Sequence, residues 1–209
     1  MNPGTAQQLT ETFYQSYDVL GLASALLGKV LVSDIGRQRC TGIIVETEAY
    51  RGADDRACHA YPYRRTPRTE VMFRAAGHAY IYLCYGIHHL FNVVAGPEGQ
   101  PDAVLVRALE PLENLELMLE RRSARKASHT LCGGPGALSQ ALGLHTGYSG
   151  TSLVGLNAEI RIEDRGIQVH DDQIYRGTRV GVAYAGTCAQ RPWRFHIEGS
   201  PWVSRAKGA

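Results

Sequence analysis

The sequence predicts an α+β fold in a single domain over residues 1–209: a mixed, mostly antiparallel, curved sheet with flanking helices and a protruding β-hairpin. Three observations carry that reading. Cys40 to Tyr50 alternates at strand period. His78 to Gly96 reads as two alternating arms meeting at Tyr85-Gly86, the pattern of a hairpin. Asp18 to Gly28 carries apolar residues at helical spacing. The 209 residues suit one domain with a full core, and the chain shows neither an internal repeat nor a linker.

In chain order, residues 1–17 read as a loosely held N-terminal extension with a short amphipathic helix around Gln7 to Tyr14. Asp18 can cap a helix through VLGLASALLG, with Val19, Leu22, Ala23 and Leu26 on one face and Gly28 to end it. Lys29 to Ser33 reads as a strand, Asp34-Ile35-Gly36 as a turn, and Cys40 to Tyr50 as the returning strand. There Ile44, Glu46, Glu48 and Tyr50 share one side, and Ile43, Val45, Thr47 and Ala49 the other. The second set suits a core. The first runs from apolar to acidic to aromatic, as a strand does on passing from a core into a pocket. An edge strand with one solvated face gives the same pattern.

Arg51 to Thr69 is rich in Arg, Pro and Tyr with no apolar period, a long loop of the kind that usually carries function. In the hairpin His78, Tyr80, Tyr82 and Cys84 share a face, and Leu90, Asn92 and Val94 alternate with Phe91 and Val93. GPEGQPD is an exposed turn, and Ala103 to Leu109 a buried-type strand with one charge, Arg107. Pro111 is expected to open a helix, with Leu112, Leu115, Met118 and Leu119 as its apolar face. From Cys132, CGGPGALSQALGL reads as a Gly-rich loop running into a short helix; its N–H groups suit a phosphate, or a tight helical turn. Ala158 to Glu163, Val169 to Asp171 and Arg194 to Glu198 complete the strands.

Composition narrows the function classes. Apolar content of 44% and charged content of 20% are ordinary for a globular protein, and no apolar run reaches membrane-spanning length. With no signal-peptide pattern at the N-terminus, a cytoplasmic address is expected. Five widely spaced cysteines, without a C-x-x-C, argue for free thiols and against both a disulfide framework and a zinc site. The net charge of +2 conceals a bias: the only lysines are Lys29, Lys126 and Lys207, so nineteen of the 22 basic residues are Arg. Arg makes forked contacts with phosphate. Basic zones at Arg51 to Arg74 and from Arg176 onward suit nucleic acid on one face, or surface Arg that serves solubility.

A carboxylate beside tyrosines suggests a pocket for a flat, electron-poor group, with the carboxylate as a general base for water. Glu46 and Glu48 look like a glycosidase pair, but positions i and i+2 on a strand lie only about 7 Å apart at Cα and point the same way. One working and one structural Glu is the expectation.

VETEAY, His59 nine residues after Tyr50, RTPR, MF, YIYLCYG, Asn92, VLVRALEP and EGSPWVS together resemble the alkyladenine (3-methyladenine) DNA glycosylase family of mammalian type, from about Ser24 to Ser204. That resemblance implies a base excision repair enzyme. It would flip alkylated or deaminated purines (3-methyladenine, 7-methylguanine, hypoxanthine, ethenoadenine) out of double-stranded DNA and hydrolyse the N-glycosidic bond. It further implies Glu48 as the base that activates water, with Glu46 a framework residue. Tyr50, His59 and Tyr82 become the walls around the extruded base, and Asn92 the residue that obstructs the amine of normal guanine. Tyr85 becomes the wedge that replaces the flipped nucleotide, and Arg107 a contact to its phosphate and to the water. Arg68 is placed at the backbone or the loop, and His88 beside the wedge. Tyr80 reads as packing. No cofactor, metal or membrane is expected, and a monomer is. With no lysine in the pocket stretches, an abasic site is the expected product. A non-catalytic binder of damaged DNA and a hydrolase of free nucleosides are the alternatives. The GPEGQPD turn, the Asp164 to Gly177 segment and the short basic tail depart from the family pattern, outside the pocket residues.

Overall fold

The computed structural model describes residues 6–205. Strands are numbered in chain order, and the hub of the sheet is β3, Cys40–Tyr50. Along one side of β3 runs β6, Asp102–Glu113. On the other side β2, Val30–Ser33, pairs with its first half, and β9, Arg194–Ile197, with Glu46 to Glu48. Beyond β6 lie β5, His88–Ala95, and then β4, Ala79–Cys84. Beyond β2 lie β7, Ile160–Asp164, and β1, Gln7–Gln8, while β8, Ile174–Gly177, pairs with β9. Every pairing between these strands is antiparallel, as short connections allow.

With strands on both sides, β3 is no edge. Its residues are buried on both faces, and Glu46 and Glu48 are wholly inaccessible. Strict alternation also fails along it. Ile44 pairs with Leu109 and Glu46 with Ala108, so Val45 is an extra residue in β3; between Glu46 and Thr47 the register skips Arg107 in β6. Each such bulge reverses the alternation and sharpens the local twist. Ile44 consequently joins Ala49 in the main core instead of sharing the side of Glu46.

The faces of the sheet carry different loads. On one face Phe91, Val93, Val104 and Val106 pack with Leu22 of α2 (Val19–Ala25) and Leu138 of α4 (Pro135–Leu142). On the other, Val94 and Ala103 pack with Cys58, Ala60, Met72, Phe73 and Tyr80, which roots the loop that follows β3. Adjacent residues Val93 and Val94 thus serve different cores, as a pleated strand requires.

Several local expectations are met and several corrected. Asp18 caps α2, its Oδ1 accepting from the Gly21 N–H at 2.7 Å. Gln7 and Gln8 pair with β7 instead of starting a helix; Thr10 caps a shorter one, α1 (Glu11–Gln15). Within the stretch expected to be loosely held, Tyr14 is fully buried, while residues 1–5 lie outside the described part. Pro111 opens no helix. It sits in β6 opposite Gly42 at a register break, where no ladder N–H is needed, and α3 begins only at Leu115 and ends at Arg121. Leu112 and Leu115 are therefore exposed, and Met118 alone of the expected face is fully buried. No strand forms at Val169 to Asp171. Reciprocal bonds between His170 and Gln173 close a tight turn there, and the strand follows at Ile174.

Candidate active site

The double bulge brings four charges together. Glu46 Oε1 accepts from Arg107 Nε at 3.0 Å, Arg194 Nε at 2.7 Å and Ser204 Oγ at 2.9 Å, and Oε2 accepts from the Ser204 N–H at 2.8 Å. Burial pushes the Glu46 pKa up, but Arg107, Arg194 and Ser204 outweigh it and hold the carboxyl below the usual carboxylate range. Glu48 has a different set of partners. Tyr50 donates its hydroxyl to Oε2 at 2.6 Å, the Val180 N–H donates to Oε1 at 2.7 Å, and Arg107 Nη1 lies 3.3 Å from Oε1. Burial and the Glu48 charge hold the Tyr50 phenol well above its ordinary pKa, so it stays a donor.

Tyr50, Arg107 and Val180 all line one cavity of about 670 Å³. That volume suits a small-molecule or nucleoside-sized group. Glu48 lies directly beneath its surface. Of the residues singled out in the sequence, Tyr50, His59, Arg68, Tyr82, Tyr85, His88, Asn92 and Arg107 all line it, and Tyr80 joins them.

The loop after β3 delivers His59 against β4. The His59 and Tyr82 rings meet edge to face at 4.5 Å, and His59 Nδ1 lies 3.0 Å from the Tyr80 hydroxyl. Arg68 Nη2 lies 3.1 Å from His59 Nε2. Arg can only donate, so Nε2 accepts, and the neutral ring carries its proton on Nδ1 toward Tyr80. Burial, with Arg68 beside it, lowers the His59 pKa to about 4. Asn92 spends both amide hydrogens on the carbonyls of Tyr80 (3.0 Å) and Leu90 (3.1 Å), which leaves Oδ1 as its unspent acceptor.

The β4–β5 hairpin overhangs the cavity. Tyr85 stands at its tip with φ +51° and 90% of its surface exposed, flanked by exposed Leu83 and Ile87. An aromatic held in left-handed backbone at an apolar tip is a constrained surface feature. His88 packs on the Gly-rich loop: a Cβ at Gly136 would meet its Cγ at 2.9 Å, so only glycine admits that approach.

Other residues of the site were invisible in the sequence pattern. Arg179 is fully buried. Its guanidinium bonds both oxygens of Asp55, the Ala49 carbonyl at 2.8 Å and the Cys188 carbonyl at 3.0 Å. It lies 4.7 Å from the Tyr50 ring and 5.1 Å from that of Trp193. Arg179 thus ties the cavity loop, β3 and the C-terminal segment together behind Tyr50. Val180 donates to Glu48 through its backbone N–H, which no side-chain pattern announces, and Ser204 adds its N–H to the hydroxyl it gives Glu46. Tyr184, 71% exposed, forms another part of the rim. A lone Arg in the apolar run RVGVAYAG was the one available signal for this segment.

Residues 12–201 match the family model described as Methylpurine-DNA glycosylase. The chain belongs to that family. It is therefore a DNA N-glycosylase, a hydrolase of the bond between base and deoxyribose, and its substrate is DNA. A relative from Bacillus cereus (strain AH820), named "Putative 3-methyladenine DNA glycosylase", is 43% identical over 205 residues, covering 95% of this chain and 99% of the relative. One of the same name from Chlamydia abortus (strain DSM 27085 / S26/3) is 46% identical over 193 residues, covering 91% of this chain and 99% of the relative. No helix among the described residues is long and apolar enough to cross a membrane.

Two stability measurements check this family member's site. Unfolded His59 takes up a proton near pH 6.5, whereas folded His59 does so near 4. Between those values the unfolded chain binds more protons, so stability falls as the pH is lowered through that window. His59→Gln should remove that part of the slope in urea unfolding. Arg179→Met strands Asp55 as a buried, unpaired charge and should cost about 3–5 kcal/mol in the same assay.

Proposed function

We propose that this glycosylase acts as a monomer on duplex DNA, flips a damaged purine into the cavity, and cleaves its glycosidic bond with a water activated by Glu48. 3-Methyladenine, 7-methylguanine, hypoxanthine and ethenoadenine are the proposed lesions. The observation that carries the reading is the placement of Glu48: a buried carboxylate whose donors Tyr50 and Val180 and ion-pair partner Arg107 all line a cavity overhung by an exposed aromatic tip.

Each proposed step has a physical basis. Stacking hides the glycosidic bond in a duplex, so the base must leave the helix, at a cost of a few kcal/mol that is least for a weakened pair. Tyr85 inserts into the vacated space as an apolar wedge does in the minor groove, and slows return. Tyr50, His59 and Tyr82 receive the base, and the free Oδ1 of Asn92 faces its edge as an acceptor. Arg107 faces Glu48 and meets the phosphate of the flipped nucleotide; Arg68 and His88 lie on the rim that receives the strand. Glu48 takes a proton from water as it attacks C1′, and the purine leaves with the bonding pair. Neutral hypoxanthine needs a proton on departure, which a cationic 7-methylguanine does not. No lysine lines the cavity among the described residues, and Lys29 is paired to Asp164 at 2.6 Å, which supports an abasic site as the product instead of a nicked strand.

Glu48→Gln tests the assignment against a mere binder of damage. Base release from a hypoxanthine duplex at saturating enzyme should fall by about 10²–10⁴-fold, while binding to that duplex survives. Release at the wild-type rate would remove Glu48 from the chemistry. Binding that is insensitive to salt would favour a hydrolase of free nucleosides, because duplex binding weakens steeply as salt rises.

A further inference from the structure

The cationic side chains around the cavity differ in how they are compensated. Arg107 and Arg194 face Glu46 and Glu48, two charges against two. Arg179 is matched by Asp55 and stacks behind Tyr50; it does not line the cavity. Arg122, on the rim, is tied to Gln140 and the Thr130 carbonyl and stacks on no aromatic wall among the described residues. Arg68 is the exception. It lines the cavity, and its guanidinium lies 4.9 Å from the Tyr82 ring while Nη2 lies 3.1 Å from His59 Nε2. No carboxylate lies within salt-bridge range of it among the described residues, and its side chain is exposed.

A guanidinium over an aromatic face uses the negative quadrupole of that ring. An extruded base stacking on Tyr82 draws on the same ring. A cationic base is affected twice: the attraction of the ring is already engaged by Arg68, and an unpaired like charge stands a few ångströms away. A neutral base loses only the stacking contact that it must share. The contact is self-consistent, since neutral His59 offers Nε2 as an acceptor and thereby keeps Arg68 at its post.

We propose that Arg68 sets the charge selectivity of the base cavity: it lies against the Tyr82 ring as a resident cation and biases the enzyme toward neutral purines over cationic ones. This rests on the cavity being the base site proposed above.

The test compares wild type, Arg68→Gln and Arg68→Lys in base release at limiting enzyme from two duplexes, one with cationic 7-methylguanine and one with neutral hypoxanthine. The readout is the ratio of the two efficiencies, in which folded fraction and any general loss of DNA grip cancel. The ratio of 7-methylguanine to hypoxanthine should rise about fivefold or more in Arg68→Gln, an interaction that partial exposure and salt keep modest. It should stay within about twofold of wild type in Arg68→Lys, which keeps the charge. An unchanged ratio in Arg68→Gln, with both efficiencies lowered together, would assign Arg68 to the DNA backbone and overturn the proposal. An equal shift in Arg68→Lys would assign the effect to shape and overturn it as well. Wild-type enzyme that releases neither base from duplexes it binds would instead refute the base-site reading, and this proposal with it.

Discussion

Two carboxylates and two guanidiniums meet at the point where β3 and β6 are both bulged, and the rest of the site depends on that contact. Buried alone, any of the four would cost several kcal/mol; together they sum to zero and satisfy one another. Without the extra residue at Val45 and the skipped pairing at Arg107, strict alternation would put Ile44 on the side of Glu46 and Leu109 on the side of Arg107, whereas both lie in the main core. The bulges thus set which side chains face which core.

The contact also separates two similar residues. Glu46 is surrounded by protein donors from β6, β9 and the C-terminal segment, and it acts as the fastening between them. Glu48 accepts from Tyr50 and the Val180 N–H and pairs with Arg107, and all three line the cavity. The same short stretch supplies an acid enclosed by protein and, in the proposed mechanism, the acid that activates water, and their partners make the distinction. Arg179 extends the scheme outward. Through Asp55 and the carbonyls of Ala49 and Cys188 it fixes Tyr50 from behind, so the wall nearest Glu48 is braced by a second neutral pair.

Much of this was legible in the residues. The boundaries of β3, the hairpin with Tyr85 at its tip and the α2 cap follow from local rules: period, turn position and a side-chain acceptor. Eight of the nine residues named for the site line one cavity and the ninth, Glu48, lies under it, because the motifs that named them fall on β3, its following loop, the hairpin and β6. What failed depended on distant partners. Pro111 looked like a helix start because the register break that accommodates it is set by Gly42, nearly seventy residues earlier. Strict alternation misplaced Ile44 because a bulge has no composition signature. Arg179 looked like a surface charge, and its burial depends on Asp55, far away in sequence. Backbone donors such as Val180 and Ser204 are silent in any reading of side chains.

Glu46→Gln separates the roles of the two acids when unfolding and single-turnover base release at saturating enzyme are both measured. The expected variant is a less stable protein whose folded fraction still releases base within about tenfold of wild type, because Glu48, Tyr50 and Val180 keep their contacts. A variant as stable as wild type but unable to release base would contradict those roles, and would make Glu46 the working acid.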